Sequence, residues 1–484
     1  MDTVGSLIND ICNKFPNQVL IHDFNRQEKF TYGEWAKDSA GLAQELKDRG
    51  FAPGDYGMMR FGNDYGYLVT YGGIARAEGV VAPVPLRLTP WEFARLLNLV
   101  APKWLFVNRV GWDEMAETVM GSSVQNVGIY HEGNWEWLEI QGVKVPRDPD
   151  PTLAHLRFTS GSQGEPKAVM LTHHNMIYRI DQPEQYAQEG DVFFLPIPFV
   201  FRPDRLIQAI AVGGAVVVYE SIYPRQIVRC FREAKVTFAW LVPTIIGLLI
   251  QLDIQEIPKD LVLRAVSTGG AYLYRPWEQR FEDLFGVPVY QQYGMSEGCV
   301  AFENPPKKRR GSVGKPSPMV VAKICNAEGK KLPNGEVGEL FYCGENVMRG
   351  YLDRPDLTAV TLRGGWLRTG DLARFDEAGY LFIEGRLKDL IHVGGLKFSP
   401  REVEDVLLIY SGIREVSVIA VNHPVKGEVG KAYYVADEPI RGGELRVFCQ
   451  AYLADFKIPK EWEQVDVLPK LSSGKIARQS IVKP

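Results

Sequence analysis

A loop rich in glycine and hydroxyl residues is the most chemically suggestive stretch of this 484-residue sequence. Residues 158–175 read FTSGSQGEPKAVMLTHHN, so that small residues lead to Lys167 and then to an apolar run. Small side chains let backbone N–H groups converge on one anion, and a lysine adds a positive charge. The pattern suits a polyphosphate, although the Gly-Lys-Ser/Thr ending of a Walker A loop is absent. A plain solvated hairpin loop with a chance lysine explains the composition equally well.

Two further glycine-bearing segments follow predicted strands. Gly269-Gly270-Ala271 follows a strand predicted over 263–268, and the segment QYGMSE, which ends at Glu297, follows a strand predicted over 287–291. Ligands of open α/β sheets bind at the carboxyl ends of the strands, so both segments are candidate ligand contacts. If the glycines only turn the chain, the presence of Tyr293 and Glu297 is not explained.

Charged residues lie beside glycines again nearer the C-terminus. Asp371 closes the segment GWLRTGD, Arg386 lies in GRLKD, and a Gly-Gly pair comes shortly before Lys397. Lys475 follows Ser-Ser-Gly in a stretch that we expect to be a flexible loop. By itself, Lys475 is better interpreted as an ordinary lysine of the C-terminal segment.

The elements that must position these residues alternate between helix and strand. Thr31 with Glu34 predicts a capping box at the start of one helix, and Thr89-Pro90 opens another. Such alternation indicates an α/β fold with a largely parallel sheet. From Gly311 onward, shorter strands separated by turns predict a more antiparallel subdomain. We expect a domain boundary at Lys388-Asp389, which gives an N-terminal domain of residues 1–388 and a small α+β domain of residues 389–484.

Composition narrows the functional class. The 45% hydrophobic and 24% charged content is typical of a soluble globular protein, and a net charge of −4 gives no reason to expect a nucleic-acid partner. No apolar run reaches the length of a membrane span, and the N-terminus lacks the apolar core of a signal peptide. The six scattered cysteines predict reduced thiols in a cytoplasmic protein, with neither a disulfide framework nor a metal site.

In their order and spacing, these segments resemble the motifs of the adenylate-forming superfamily. That superfamily includes acyl- and aryl-CoA synthetases, peptide-synthetase adenylation domains and beetle luciferases. The resemblance extends from FTYGEWA at 30–36 through PVPLRLTP at 83–90 to LPKLSSGKIAR at 468–478. It implies a large N-terminal domain of αβα layered sheets with a β-rich subdomain, followed by a small, mobile α+β C-terminal domain.

The resemblance also implies a role for each candidate residue. Glu297 would hold Mg²⁺ together with Thr159, and Lys475 would be the catalytic lysine alongside Glu297. Asp389 would be the hinge, and Gly394, Gly395 and Lys397 would belong to the thiol-acceptor loop. The ATP site would consist of Thr159, Ser160, Gly161, Ser162, Gln163, Gly164, Lys167, Gly269, Gly270, Ala271, Tyr293, Gly294, Met295, Ser296, Asp371 and Arg386. Within it, Tyr293 would stack on adenine, and Asp371, helped by Arg386, would bind the ribose hydroxyls.

Departures from the family pattern are informative. In the phosphate loop, Ser162-Gln163 replaces the usual Thr-Thr and Ala168 replaces the final glycine, so we expect function to persist with altered nucleotide affinity. The acyl pocket would include Phe199, Phe201 and Arg202, with Phe199 at its entrance. Arg202 stands where glycine is usual, and where amino-acid-activating relatives carry an aspartate. We therefore hypothesise an acid that is not an α-amino acid and that carries a second carboxylate or another polar acceptor. Pairing of Arg202 with Asp204 or a nearby acid explains the arginine at least as well.

The reaction implied is ATP-dependent activation of a small carboxylic acid through an acyl-adenylate, followed by transfer to a thiol. The cofactors would be ATP, Mg²⁺ and CoA. A free-standing enzyme that loads the phosphopantetheine of an acyl or peptidyl carrier protein would use the same motifs and remains an alternative. A luciferase-like oxidoreductase and a non-catalytic nucleotide-binding relative share the fold. The second of these is disfavoured because Glu297, Asp371, Arg386 and Lys475 are all present.

Overall fold

The computed structural model describes residues 3–160, 165–181, 187–201, 203–219, 221–305, 307–470 and 476–481. The central part of the predicted phosphate loop (161–164), Arg202 and Lys475 therefore lie outside the described residues. The flanks of that loop and the remaining candidate residues belong to the described ranges. For Ser160, the backbone is described but the side chain is not.

The N-terminal segment alternates helices and strands, as the sequence predicts. Thr31 and Thr89 each cap a helix through a reciprocal capping box, with Glu34 and Glu92 reaching back to the cap backbone. The elements are α1 Val4–Lys14, β1 Val19–Asp23, β2 Glu28–Thr31, α2 Tyr32–Asp48, β3 Tyr56–Arg60, α3 Tyr65–Arg76, β4 Val80–Pro83, α4 Pro90–Val100, β5 Trp104–Asn108, α5 Arg109–Met120, β6 Asn126–His131 and β7 Asn134–Glu139.

The middle segment contains the strands that end at the predicted ligand contacts. Several of its helices begin with proline, which suits a first turn because proline has no N–H to leave unpaired there. The elements are β8 Leu153–Ser160, β9 Pro166–Thr172, α6 His173–Asp181, β10 Val192–Phe194, α7 Pro203–Ala211, β11 Ala215–Val218, α8 Pro224–Glu233, β12 Phe238–Leu241, α9 Pro243–Leu249, β13 Ala265–Thr268, α10 Arg275–Phe285, β14 Val289–Met295 and β15 Cys299–Glu303.

The last third of the chain divides into a β-rich part and an α+β part. The first consists of β16 Lys315–Pro316, β17 Val320–Cys325, β18 Gly338–Gly344, β19 Gly350–Tyr351, α11 Pro355–Thr361, β20 Leu362–Arg363, β21 Trp366–Phe375 and β22 Leu381–Arg386. The second consists of β23 Ile391–Val393, β24 Leu396–Phe398, α12 Pro400–Leu407, β25 Ile413–His423, β26 Gly427–Ala436, α13 Gly442–Gln450, β27 Glu461–Gln464 and α14 Arg478–Ile481.

Two large sheets form the N-terminal body. Their strand orders are β16-β15-β14-β13-β12-β10-β11-β1-β2 and β19-β9-β8-β4-β3-β5-β6-β7. The central strands of both are parallel, as predicted, and the edge strands pair antiparallel. The β17-β18-β21-β20 sheet, with β22 beside β21, is antiparallel throughout and confirms the antiparallel subdomain.

Helices cover both sheets and separate them. One apolar core joins helices α1, α2 and α3 to both sheets, as shown by Trp35, Phe106 and Phe238 in a single cluster. Further cores join α4 and α5 to the other face of the eight-stranded sheet, and α8, α9 and α10 to the other face of the nine-stranded sheet. The result is the layered α/β architecture expected, because each sheet buries both faces under helices. Within the described part of the chain, no helix combines the length and apolar character needed to cross a bilayer.

Candidate active site

A cavity of about 1320 Å³ gathers most of the described candidate residues. Its walls come from the β8–β9 hairpin, from the carboxyl ends of β13 and β14, and from the antiparallel sheet. The predicted residues on its lining are Thr159, Lys167, Phe201, 269–271, 293–297, Asp371 and Arg386. Segments that are more than 200 residues apart in sequence therefore meet around one volume.

The β8–β9 hairpin presents the two flanks of the predicted phosphate loop. Thr159 and Lys167 are directly opposite each other in its antiparallel register, and both line the cavity. The Lys167 ammonium lies 5.0 Å from the ring centroid of Tyr351, within cation–π range. A plain hairpin loop was the alternative to a phosphate site. The structure does form a hairpin here, and its strands place Lys167 at the cavity.

Glycine is required by close packing at the end of β14. This strand does not stop near 291 as predicted but continues to Met295, antiparallel to β15. A Cβ on Gly294 would lie 2.0 Å from the carbonyl oxygen of Cys299, so no larger residue fits there. At the end of β13, Gly270 has φ +83°, in the left-handed region that favours glycine. Gly294 therefore lets β14 pack against β15, Gly270 lets the chain turn at the end of β13, and both residues line the cavity.

Asp371 connects two of the predicted nucleotide contacts. Asp371 is buried, with 4% of the residue exposed, and its carboxylate accepts hydrogen bonds from Tyr293 Oη at 2.6 Å and from Arg386 Nε at 2.8 Å. Burial and the adjacent Asp371 carboxylate raise the pKa of Tyr293, and Asp371 also raises the pKa of Arg386. A carboxylate has about four lone-pair directions, so Asp371 can still accept hydrogen bonds from a diol. The sequence did not predict this network, which holds the Tyr293 ring at the cavity wall.

Glu297 has a neighbour that sequence reasoning missed. Tyr351 Oη donates a hydrogen bond of 2.7 Å to Glu297 Oε1, and burial followed by the Glu297 charge raises the pKa of Tyr351. Tyr351 is on β19, which pairs with β9, so this tyrosine touches both Glu297 and Lys167. No motif in the sequence marks Tyr351.

The surroundings of Glu297 fit a site for one hard cation. Among the described residues, no group of three His, Cys, Asp or Glu side chains converges on a single point. A Mg²⁺ ion held here would take Glu297 as its carboxylate ligand and draw its other ligands from phosphate oxygens and water, an arrangement that Mg²⁺ favours. Thr159 lines the same cavity and could add a hydroxyl.

The expected acyl-pocket residues separate in the structure. Phe201 lines the cavity, whereas the ring of Phe199 is fully buried and packs edge-on against Tyr67 at 5.3 Å between centroids. Phe199 thus belongs to the core between the sheets and not to the described cavity lining, and its role at the pocket entrance stays a prediction. Arg157, which the sequence reading passed over, does line the cavity and is 7% exposed.

The thiol-loop residues lie apart from the cavity lining. Gly394 and Gly395, with φ of +57° and +87°, form the two-residue turn between β23 and β24, and Lys397 is exposed. Two positive φ angles in a two-residue hairpin turn explain the Gly-Gly pair. Asp389 closes a 3₁₀ turn over 387–389. Its role as a hinge stays a prediction.

Polar contacts join the C-terminal segment to the loop after β13. Tyr272 Oη donates to Asp405 Oδ2 at 2.8 Å, and the Arg401 guanidinium lies 4.6 Å from the Tyr272 ring centroid. Tyr272 and Arg401 both line the cavity. Beside them, Tyr274 Oη donates to Glu404, which also pairs with Arg478 at 2.7 Å. These contacts define a docking interface between α12 and residues 272–274.

Docking at this interface is expected to weaken as the pH rises from about 4 to 6. Burial raises the pKa of Asp405 to about 6, with Tyr272, Arg275, Arg401 and Glu404 as its polar and charged neighbours. The docked state holds the proton to a higher pH than a solvent-exposed carboxyl does, so docking is favoured at low pH and loses up to about 3 kcal/mol above pH 6.

The measurement is small-angle X-ray scattering at pH 4.5 and 7.5 on the wild type, Asp405→Asn and a control. Asn cannot titrate, so Asp405→Asn should show no pH-dependent change in dimensions. Asp437→Asn, which alters an exposed ion pair with Arg414, should behave like the wild type. A pH response that survives in Asp405→Asn would assign the effect to another group.

Comparisons with known proteins agree with this geometry. The family model described as AMP-binding enzyme matches residues 8–352, and the AMP-binding enzyme C-terminal domain matches residues 402–475. The feruloyl-CoA synthase of an Amycolatopsis species is 31% identical over 465 residues, covering 93% of both chains. The sulfoacetate–CoA ligase of Cupriavidus necator is 35% identical over 501 residues, covering 99% of this chain and 97% of its own.

Solved structures show the same likeness over the whole chain. ATP-bound MatB from Rhodopseudomonas palustris superposes with a TM-score of 0.88 at 26% identity, covering 99% of this chain and 98% of MatB. The sequence motifs, the layered fold and the cavity that the motif segments line together all lead to the same assignment. The chain belongs to the AMP-binding enzyme family.

Proposed function

We propose that this protein is an AMP-forming acid–CoA ligase, which activates a carboxylic acid with ATP and transfers the acyl group to CoA. The observation that carries the proposal is the convergence of four motif segments on one cavity: the β8–β9 hairpin, 269–271, 293–297 and the Asp371–Arg386 pair. Similarity to two CoA-thioester-forming relatives over nearly the whole chain supports it.

The chemistry explains the residue types. The substrate carboxylate attacks the α-phosphorus of ATP, an acyl–O–P bond forms, and pyrophosphate leaves with the electrons of the broken P–O bond. The nucleophile is already ionised, so no general base is required. The difficulty is charge repulsion, which Lys167 and Lys475 would reduce at the phosphates. Bound Mg²⁺ would supply further charge neutralisation there.

The second half-reaction replaces the bond between the acyl group and AMP with a thioester bond to CoA. The CoA thiol attacks the acyl carbonyl, a C–S bond forms, AMP leaves, and the thiol proton passes to solvent. Before this step we propose that residues 389–484 rotate about Asp389. This rotation would withdraw Lys475 and bring the Gly394–Lys397 turn to the adenylate. The docking interface of α12 with residues 272–274 would open in that rotation.

The acid is proposed to carry a second anionic group. Support comes from the Arg157 guanidinium on the cavity wall, from Arg202 in the sequence, and from the sulfonated acid in the name of the Cupriavidus relative. A panel of sulfoacetate, malonate, ferulate and linear monocarboxylates in wild type, Arg157→Gln and Arg202→Ala tests this. If a variant loses the preference for the doubly charged acids, the replaced arginine contacts the second anionic group. If all acids react at equal rates, the proposal of a second anionic group is refuted.

The ligase proposal is tested by pyrophosphate exchange and by mass spectrometry of the products. With a competent acid, labelled pyrophosphate should enter ATP only when the acid is present, and addition of CoA should give AMP and the acyl-CoA. Exchange followed by transfer only to a carrier protein would make the loading enzyme the correct assignment. If no acid of a broad panel supports pyrophosphate exchange, both the CoA ligase and the loading enzyme are refuted.

Glu297→Gln is expected to lower the adenylation rate by about 10² and to raise the Mg²⁺ concentration needed for half-maximal exchange at least tenfold. Removing one charged group that stabilises the transition state costs about this much, and a carboxamide is a poorer ligand for a hard cation. A Mg²⁺ titration of pyrophosphate exchange measures both effects. Tyr351→Phe keeps the carboxylate and should lose only a few-fold. An unchanged Mg²⁺ dependence in Glu297→Gln would place the metal elsewhere.

A further inference from the structure

Two buried polar side chains beside the cavity have no hydrogen-bond partner among the residues that the structure describes. They are Tyr67, through its hydroxyl, and His155, through both ring nitrogens. Tyr67 is 1% exposed and His155 0% exposed. Buried polar groups are nearly always hydrogen-bonded, because leaving one unpaired costs free energy. These groups are therefore available to a partner from outside the protein, either a water molecule or a ligand.

Strand β8 places His155 on the same face as two residues of the cavity lining. Residues 155–159 pair with β9 without a bulge, so alternate side chains share a face. His155, Arg157 and Thr159 are on one face, and Leu156 packs on the other in the core under α4 and α5. Thr159 and Arg157 line the cavity. Alternate residues of a strand are about 7 Å apart, so His155 lies one such step further from the phosphate loop than Arg157.

Helix α3 brings Tyr67 to the same place. Tyr71 follows Tyr67 by one helical turn, and its ring centroid lies 6.3 Å from that of Tyr67 and 6.0 Å from that of His155. The Arg157 guanidinium is close enough for its charge to act on both tyrosines and on His155. Arg157, Tyr67 and His155 are therefore neighbours, and we call them the inner donors.

At neutral pH the inner donors combine one positive charge with two neutral donors. Burial, followed by the Arg157 charge, lowers the pKa of His155 well below its ordinary value, so the imidazole is neutral and has one N–H. Burial, followed by Tyr71, raises the pKa of Tyr67, which keeps its O–H. The guanidinium stays charged. One positive charge and a donor from each residue suit an anionic group with two or three oxygens.

We propose that the inner donors bind the remote anionic group of the acid, a carboxylate or sulfonate that accepts hydrogen bonds from Arg157, Tyr67 and His155 together. This inference rests on the proposed ligase function and deepens it by naming the residues that select the acid. Arg157 is on the described cavity lining, whereas Tyr67 and His155 are not. The Arg157 side chain must therefore turn to admit the anion, as its staggered rotamers allow.

The test compares doubly charged acids with monocarboxylates of similar length. Sulfoacetate, malonate and succinate are compared with propionate and butyrate in pyrophosphate exchange by wild type, Tyr67→Phe and His155→Leu. The wild type should prefer the doubly charged acids. Each variant should raise the KM for those acids about tenfold or more, the scale of losing one hydrogen bond to a charged group. The kcat and the KM for monocarboxylates should change little, because a remote group that binds equally in the ground and transition states acts on KM.

Tyr32→Phe is the matched control for Tyr67→Phe. Tyr32 is equally buried and lies away from the cavity lining, but its hydroxyl donates to the Gly214 carbonyl oxygen at 2.8 Å. Tyr32→Phe should lower the melting temperature, because it removes a hydrogen bond, and should leave the preference among acids unchanged. Tyr67→Phe should leave the melting temperature unchanged or raise it, because no described group bonds to its hydroxyl, and should reduce the preference.

Three results would overturn this assignment of the inner donors. An equal rise in KM for both classes of acid would show a general packing effect. A lower melting temperature in Tyr67→Phe with an unchanged preference would assign the hydroxyl to a structural water. A wild type that exchanges pyrophosphate with monocarboxylates and shows no preference for doubly charged acids would reject the site but leave the ligase standing. Exchange with no acid at all would instead refute the proposed function.

Discussion

Replacing Lys475 with alanine is expected to slow acyl-adenylate formation by roughly 10²–10³, the scale of losing one preorganised group that stabilises charge in the transition state. Thioester formation from supplied acyl-adenylate should change by no more than a few-fold. The reason is that the proposed rotation about Asp389 removes Lys475 before the thiol attacks. The prediction rests on the LSSGK segment and its family resemblance, because this lysine lies outside the described residues.

Two assays separate the half-reactions. Pyrophosphate exchange reports adenylation, and a single turnover of synthetic acyl-adenylate with CoA reports thioester formation. Lys470→Ala is the matched control, since Lys470 is in the same segment and forms an ion pair with Glu415 at 2.8 Å. It should leave both half-reactions nearly intact. An equal loss in both for Lys475→Ala would contradict the proposed exchange of domain positions.

Replacing Asp371 with asparagine is expected to raise the KM for ATP by about 10–100-fold and to slow adenylation. Hydrogen bonds to charged groups contribute about 1.5–3 kcal/mol, which corresponds to that range. Asparagine keeps the shape of the side chain but removes the charge that balances Arg386 and the carboxylate that we propose as acceptor for the ribose hydroxyls. It also presents an NH₂ group where Tyr293 or Arg386 now donates.

The measurement is the ATP dependence of pyrophosphate exchange, together with thermal unfolding. Tyr293→Phe, which removes the hydroxyl that donates to Asp371 but keeps the Asp371 carboxylate, should raise the KM for ATP much less. Asp376→Asn alters an ion pair with Arg309 in the same subdomain but away from the cavity lining, so it should leave the KM unchanged. If Asp371→Asn lowered the melting temperature while the KM for ATP stayed at its wild-type value, Asp371 would be purely structural.

The sequence by itself determined the features that depend on neighbours along the chain. The capping box at Thr31 and the helix start at Thr89-Pro90 are both confirmed, because each depends on residues within one helical turn. The glycines after β13 and within β14 stand out in the sequence as candidate ligand contacts. They are glycines because the backbone there has a positive φ at Gly270 and no room for a side chain at Gly294. The helix–strand alternation predicted the layered fold, since its periodicity records which face of each element is buried.

Only the tertiary structure decided which side chains meet. Tyr351 and Glu297 are 54 positions apart, Tyr293 and Asp371 are 78 apart, and Tyr272 and Asp405 are 133 apart. The register of paired strands and the docking of α12 bring these pairs together, and no local pattern encodes either. Phe199 shows the same limit, because the aromatic residue expected at the pocket is turned into the core by packing against Tyr67. Local residue types therefore defined the chemistry that is possible, and long-range packing determined which residues are placed to carry it out.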